Sequence, residues 1–165
     1  MQPEEIYQIL KLQFKDGILD IQKNIPDFII TISVNAVAEV MEKLRDDPEL
    51  AFNSMMCLSG VDTREIYRVV YHLYSMNNNH KIVINVELSR ENPHIPTASH
   101  LWRSAEWFER EAFDMFGIIF DGHPDLRRIL CPEDWDGYPL RKDYRVQELY
   151  HGMRVSYPGE YHAGK

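Results

Sequence analysis

Apolar positions over residues 1–120 recur with a helical period in three places and alternate in five, which predicts three helices and five strands. Residues 3–14 place Ile6, Leu10 and Phe14 on one face, with Pro3 in the first turn and Glu4 and Glu5 at the positive end of the dipole. Asp16-Gly17 ends that helix. Residues 17–22 and 27–34 read as strands around a turn at 24–26; in the second, Phe28, Ile30, Ile32 and Val34 alternate with Ile29, Thr31 and Ser33. Asn35 is the expected N-cap of a second helix, whose packed face is Val37, Val40, Met41 and Leu44 and which Asp46-Asp47-Pro48 stops. Strands are expected over 52–61, 66–76 (Tyr67, Val69, Tyr71 and Leu73 on one face) and 81–89 (Ile82, Ile84, Val86 and Leu88), the last two joined by turn chemistry at 77–80. In the third helix Trp102, Ala105, Glu109, Ala112 and Phe116 form one row, and Gly117 is placed to close it in the left-handed conformation. The order α-β-β-α-β-β-β-α predicts an α+β fold: two layers, a mixed or antiparallel sheet, helices on one face. This domain is expected to span 1–120, with 121–165 forming an extended arm and tail.

The periodicity stops after the turn at Asp121-Gly122-His123-Pro124. Residues 124–144 instead mix three prolines with paired cations, Arg127-Arg128 and Arg141-Lys142, and with Leu126, Ile129, Leu130, Trp135, Tyr138 and Leu140. A bare loop this apolar would be a liability in water. The expected solution is an arm that lies on a partner protein, its cationic pairs bonding to groups there. In the preceding helix Arg110 stands four residues from both Glu106 and Asp114, so it is expected to bridge two carboxylates. That makes a structural ion-pair network the better reading of Glu109, Glu111 and Asp114 than acid–base chemistry or metal ligation.

Composition narrows the functional classes. The 165 residues are 44% hydrophobic with a net charge of -8, enough to bury one core and unlike a nucleic-acid binder. No apolar run reaches the roughly 20 residues of a membrane span, and the acidic N-terminus lacks a signal-peptide layout, so a cytoplasmic protein is expected. Cys57 and Cys131 are isolated, and His94, His100 and His123 lack metal-ligand spacing, so no metal centre is expected. No phosphate-binding glycine motif is present, and no residue set reads as catalytic or cofactor-binding.

Several blocks in order carry a resemblance: Glu109-Arg110-Glu111, Asp114 with Phe116-Gly117, Gly122-His123-Pro124-Asp125-Leu126-Arg127-Arg128-Ile129-Leu130, and Pro139-Leu140-Arg141-Lys142-Asp143. This pattern resembles the signature of the 30 kDa subunit family of proton-translocating NADH:quinone oxidoreductase, respiratory complex I. It is also similar to subunits of membrane-bound hydrogenases and ferredoxin-dependent complexes. The resemblance implies a peripheral-arm subunit of the enzyme, held on the cytoplasmic side of the membrane by its neighbours. Those neighbours would be the quinone-site subunit of the 49 kDa type and the terminal-cluster subunit. FMN, iron–sulfur clusters, NADH and quinone would belong to the complex, and this chain would hold no redox group. The same resemblance marks Glu109, Arg110, Glu111, Asp114, Gly117, His123, Pro124, Asp125, Arg127, Arg128, Trp135, Pro139, Arg141, Lys142 and Asp143 as signature and partner-interface residues.

Overall fold

The computed structural model describes residues 2–23 and 28–155. Helix α1 (Pro3–Phe14) leads into strands β1 (Ile18–Gln22) and β2 (Ile29–Ile32), then α2 (Val37–Asp46). Three long strands follow, β3 (Ser54–Asp62), β4 (Ile66–Ser75) and β5 (His80–Ser89). They form one five-stranded sheet in the order β1-β2-β5-β4-β3. Only the β2–β5 pair is parallel. A parallel pair needs a long crossover, and α2 with the β3–β4 hairpin supplies it.

The alternating positions decide which face is covered. Tyr67, Val69, Tyr71 and Leu73 on β4, and Ile82, Ile84, Val86 and Leu88 on β5, are almost fully buried. Ile30 and Ile32 lie beside them through the β2–β5 register, and Ile6, Leu10, Val37, Val40, Met41 and Leu44 from the helices complete the core. The opposite face carries the exposed Arg68–Glu87 pair and a bond from Asn85 to the Thr31 hydroxyl. The expected two-layer α+β architecture therefore holds, with a mixed sheet.

Three local expectations change. Asn35 does not cap the second helix: a 3-10 turn at Val34–Ala36 precedes α2, whose N-cap is Ala36 with no side-chain cap. The turn expected at 24–26 lies outside the described residues. Trp102 stands in a turn ahead of α3 (Ala105–Phe116), where its indole N–H donates to the Phe52 carbonyl at 2.8 Å. An additional small parallel pair, β6 (His94–Pro96) with β7 (Ile119–Asp121), joins the segments before and after α3. Strands of three residues are too short for alternation to leave a readable signal. Gly60 lets α3 sit on β3: a Cβ there would stand 2.6 Å from the Phe116 ring. Beyond β7 the chain is irregular until the two-residue strands β8 (Leu149–Tyr150) and β9 (Met153–Arg154).

Candidate functional site

The C-terminal arm does not reach outward for its bonds. It lies back along α3, and two buried carboxylates organise it. The first is Asp114, whose side chain is fully enclosed. Its Oδ2 accepts the backbone N–H groups of Ile129 at 3.0 Å, Leu130 at 2.7 Å and Cys131 at 2.9 Å. Its Oδ1 accepts the Arg128 guanidinium at 2.9 Å. Burial works against this carboxylate, but the three N–H groups and Arg128 outweigh it and hold its pKa below the ordinary 3.8. Arg128 also donates to the Gly137 carbonyl at 2.9 Å, so one side chain closes the arm into a loop.

The second carboxylate is Asp62 at the end of β3. It accepts the N–H of Lys142 at 2.8 Å and that of Arg64 at 2.7 Å, and pairs with Arg90, which also reaches Asp143 at 3.1 Å. Burial again opposes ionisation, and these partners again hold the carboxyl low. Between the two carboxylates, Arg141 donates to the Phe116 carbonyl at 2.7 Å and stacks on Tyr138 and Tyr67, while Leu140 N–H donates to the Met115 carbonyl. These contacts terminate α3. Gly117 takes φ 71, as expected of its cap, and its missing Cβ is what admits the Tyr138 ring and the Arg141 fork. Farther on, Trp135 donates to the Tyr144 hydroxyl and Tyr150 to Asp134.

This arrangement corrects two expectations. Arg110 bonds neither Glu106 nor Asp114. Its Nε donates to the Arg127 carbonyl at 3.2 Å, its guanidinium faces Asp125 at 3.8 Å, and it covers the Trp107 ring. Arg128 is the ion-pair partner of Asp114, because the arm brings it to the position that helical spacing assigned to Arg110. The second correction concerns the cationic pairs. The guanidinium groups of Arg128 and Arg141, and the Lys142 backbone, bind this chain itself and are not held out for a partner. Arg127 pairs with Asp125 in the open.

The signature residues divide accordingly. Arg110, Asp114, Gly117, Asp125, Arg127, Arg128, Arg141, Lys142 and Asp143 belong to the seam between arm and domain. Glu111 and Pro124 are exposed, and Trp135 and Pro139 are half-buried in the arm. Glu109 points the other way, into the core. Its carboxylate accepts the Ala98 N–H at 2.6 Å and lies 2.5 Å from the Thr97 hydroxyl, in place of the ion-pair network expected for it. Sequence reasoning missed Asp62, Arg90 and Thr97. Asp62 announced only a local turn with Arg64, and nothing in the spacing pointed to a partner 80 residues downstream.

Large apolar side chains stand out among the exposed charges of this region: Trp107 is 60% exposed, Leu130 63% and Leu140 52%. Among the described residues no group of three or more His, Cys, Asp or Glu side chains is arranged to hold a metal ion. Cys57 and Cys131 are free thiols, and burial raises that of Cys131 above the ordinary pKa. The site is thus a seam of buried carboxylates and guanidinium groups, with these apolar side chains exposed along it.

Comparison with known proteins agrees with the signature. Residues 30–150 match the family model described as respiratory-chain NADH dehydrogenase, 30 Kd subunit. An NADH-quinone oxidoreductase subunit from Chloroherpeton thalassium is 46% identical over 160 residues, covering 94% of this chain and 67% of the relative. Its counterpart from Chlorobium phaeobacteroides is 45% identical over 156 residues, covering 92% and 93%. Among solved structures, a trypsin-resistant fragment of Nqo5 superposes with a TM-score of 0.63 at 28% identity, over 73% of this chain and 98% of the fragment. The fold recurs in a membrane-bound sulfane sulfur reductase, an archaeal respiratory membrane complex, with a TM-score of 0.69 at 21% identity over 87% of this chain and 85% of that one. With its sheet, its α3 and the seam that fastens the arm all within or beside the matched segment, the chain belongs to the 30 kDa subunit family of respiratory-chain NADH dehydrogenase.

Proposed function

We propose that this chain is a structural and assembly subunit in the peripheral arm of a proton-translocating NADH:quinone oxidoreductase. It packs there on the quinone-site subunit of the 49 kDa type, close to the subunit holding the terminal cluster. FMN, the iron–sulfur clusters, NADH and quinone belong to other subunits, and this chain contributes position. No described helix is long and apolar enough to cross a membrane; in this reading the neighbouring subunits hold the chain at the cytoplasmic side.

The observation that carries this reading is the pre-ordered arm. Asp114 and Asp62 hold its backbone through bonds within the chain, while Trp107, Leu130 and Leu140 are exposed. Large side chains on a rigid support are what an interface anchor needs, because little conformational freedom remains to be lost on docking. A subunit of a related membrane complex is the second reading, since the sulfane sulfur reductase shares the fold. The 46% and 45% identities to subunits named for NADH-quinone oxidoreductase favour the first.

The test uses Leu130→Glu, Leu140→Glu and Trp107→Ala in the full chain. At the two leucines such surface changes usually alter monomer stability by about 0.5 kcal/mol or less, whereas Trp107→Ala also removes the ring that Arg110 covers. Assembled complex on a native gel should fall, and NADH:quinone activity should fall in proportion, with turnover per assembled complex unchanged. Activity lost from fully assembled complex would refute the scaffold role.

A further inference from the structure

Beside α3 lies an enclosed polar cluster centred on Glu109. Glu109 is 0% exposed. Its Oε1 accepts the Ala98 N–H, and its Oε2 meets the Thr97 hydroxyl. Among the described residues no lysine or arginine pairs with it. Burial raises its pKa to about 7, against the opposing pull of the Thr97 and Ala98 bonds.

Three groups surround this carboxyl. Thr97 Oγ1 also lies 2.9 Å from Ser99 Oγ. A hydroxyl carries one proton. Beside a carboxylate Thr97 donates to Glu109; beside a carboxylic acid it accepts from Glu109 and donates to Ser99. Both hydroxyl residues are half-buried, so this chain of bonds runs from the enclosed carboxyl toward solvent. On the second side stands His123, its side chain also enclosed, with Nε2 4.0 Å from Glu109 Oε2. Its Nδ1 accepts the Asp125 N–H at 3.0 Å, which leaves the ring proton on Nε2, donating to the Glu106 carbonyl at 3.1 Å. Behind the ring lies Asp125, which faces Arg110 and Arg127. From β4, the Tyr71 hydroxyl is buried without a hydrogen-bond partner, and burial and then the Glu109 charge hold it in its protonated form.

We propose that Glu109, Thr97 and His123 form a buried proton-binding site, and that release of its proton through Thr97 and Ser99 loosens the root of the C-terminal arm. With the proton present, Glu109 donates to Thr97, and His123 ties the turn at 123–125 to the first turn of α3. When the proton leaves for solvent, an unpaired carboxylate remains 4.0 Å from a ring N–H. That charge attracts the Nε2–H away from the Glu106 carbonyl, because a hydrogen bond to a charged acceptor is the stronger one. The ring cannot follow without straining the Asp125 N–H bond on its far side. The root of the arm therefore reports the protonation of a carboxyl beneath it, a property separate from the scaffold role.

The experiment is a pH titration of the full chain by nuclear magnetic resonance, reading the Glu109 carboxyl carbon, His123 Nε2 and the Asp125 amide. The carboxyl should titrate with a midpoint near 7. The His123 and Asp125 signals should move with the same midpoint, and hydrogen-exchange protection of the Asp125 amide should fall about fivefold, the weight of one ordinary hydrogen bond. Glu109→Gln should remove the step in both. A Glu109 midpoint in the ordinary carboxylate range, or arm signals that stay still across its titration, would overturn the proposal. Should Glu109→Gln fail to fold, Thr97→Val takes its place: losing the hydroxyl donor should raise the Glu109 midpoint, and an unchanged midpoint would overturn the part assigned to Thr97.

Discussion

Replacing Asp114 with Asn tests whether one carboxylate holds the arm. The substitution preserves size and leaves α3 undisturbed, so its effect reports on the four bonds alone. Three backbone N–H groups converge on Oδ2 and one guanidinium on Oδ1. An amide cannot satisfy both sets. With its oxygen toward the N–H groups its NH2 faces Arg128, and the flipped amide sets NH2 against three donors. Hydrogen bonds to a charged group contribute ~1.5–3 kcal/mol each, but four bonds on one carboxylate are not additive. Breaking a buried ion pair costs ~3–5 kcal/mol, which we take as the whole effect. For a chain of this size each kcal/mol moves Tm by about 2–4 °C, so Tm should fall by roughly 6–20 °C. Arg128→Ala should lose less, because the three N–H donors remain on the carboxylate. Thermal unfolding by circular dichroism gives the first readout, and limited proteolysis between residues 126 and 142 the second. A Tm within ~2 °C of wild type together with unchanged protease resistance would show that the arm is held by something else.

Gly117→Ala should cost about 1 kcal/mol for the left-handed backbone and a further ~1–3 kcal/mol for a Cβ 2.6 Å from the Tyr138 ring and Arg141, measured by urea unfolding; a neutral result would mean that the cap opens freely. Stability should also depend on pH through Glu109: its folded pKa, about 7, lies above the ordinary 4.5, so its contribution is complete below pH 4.5 and is lost as pH rises through 7, by roughly 3 kcal/mol. Asp114 and Asp62 are shifted the other way, so their contributions disappear only on the acid side of 3.8 and leave that window clear. Unfolding free energies from pH 4.5 to 8 should slope downward in wild type and flatten in Glu109→Gln; parallel curves would dismiss the assignment.

The parts of this fold that were legible in the sequence are those set by local period. The β4–β5 hairpin and the buried face of α2 announce themselves because each apolar residue has its partner two, three or four positions away. Gly117 was legible for a similar reason, since a helix end needs a residue that accepts positive φ. The arm was legible as an apolar, non-periodic segment, but its attachment was not. Helical spacing offered Asp114 the nearby Arg110, whereas the structure gives it Arg128 and three N–H groups from 15 to 17 residues downstream. Long-range pairing of this kind leaves no periodic trace, and the same holds for Asp62 with Lys142. Glu109 was misjudged because it was grouped by charge with Glu111 and Asp114 in one ion-pair network. Its spacing from Ala105 and Ala112 already placed it on the buried face.

The inward use of Arg128 and Arg141 bears on how the chain would recognise a partner. Had their guanidinium groups been free, affinity would rest on exposed ion pairs, which are weak and sensitive to salt. Engaged within the chain, they hold residues 128–141 against α3: Arg128 meets the buried Asp114, where screening is least, and Arg141 meets the Phe116 carbonyl and the Tyr67 and Tyr138 rings. In the proposed assembly, recognition would fall to Trp107, Leu130 and Leu140, whose burial would contribute about 25 cal/mol per Å2 of apolar surface removed from water. An interface of that kind holds at high salt, and the exposed Arg127 at its margin would steer the encounter. Charge reversal at Arg128 should therefore act first on the fold of the arm and only through it on assembly. That order of events separates an arm built by its own chain from one shaped by its partner.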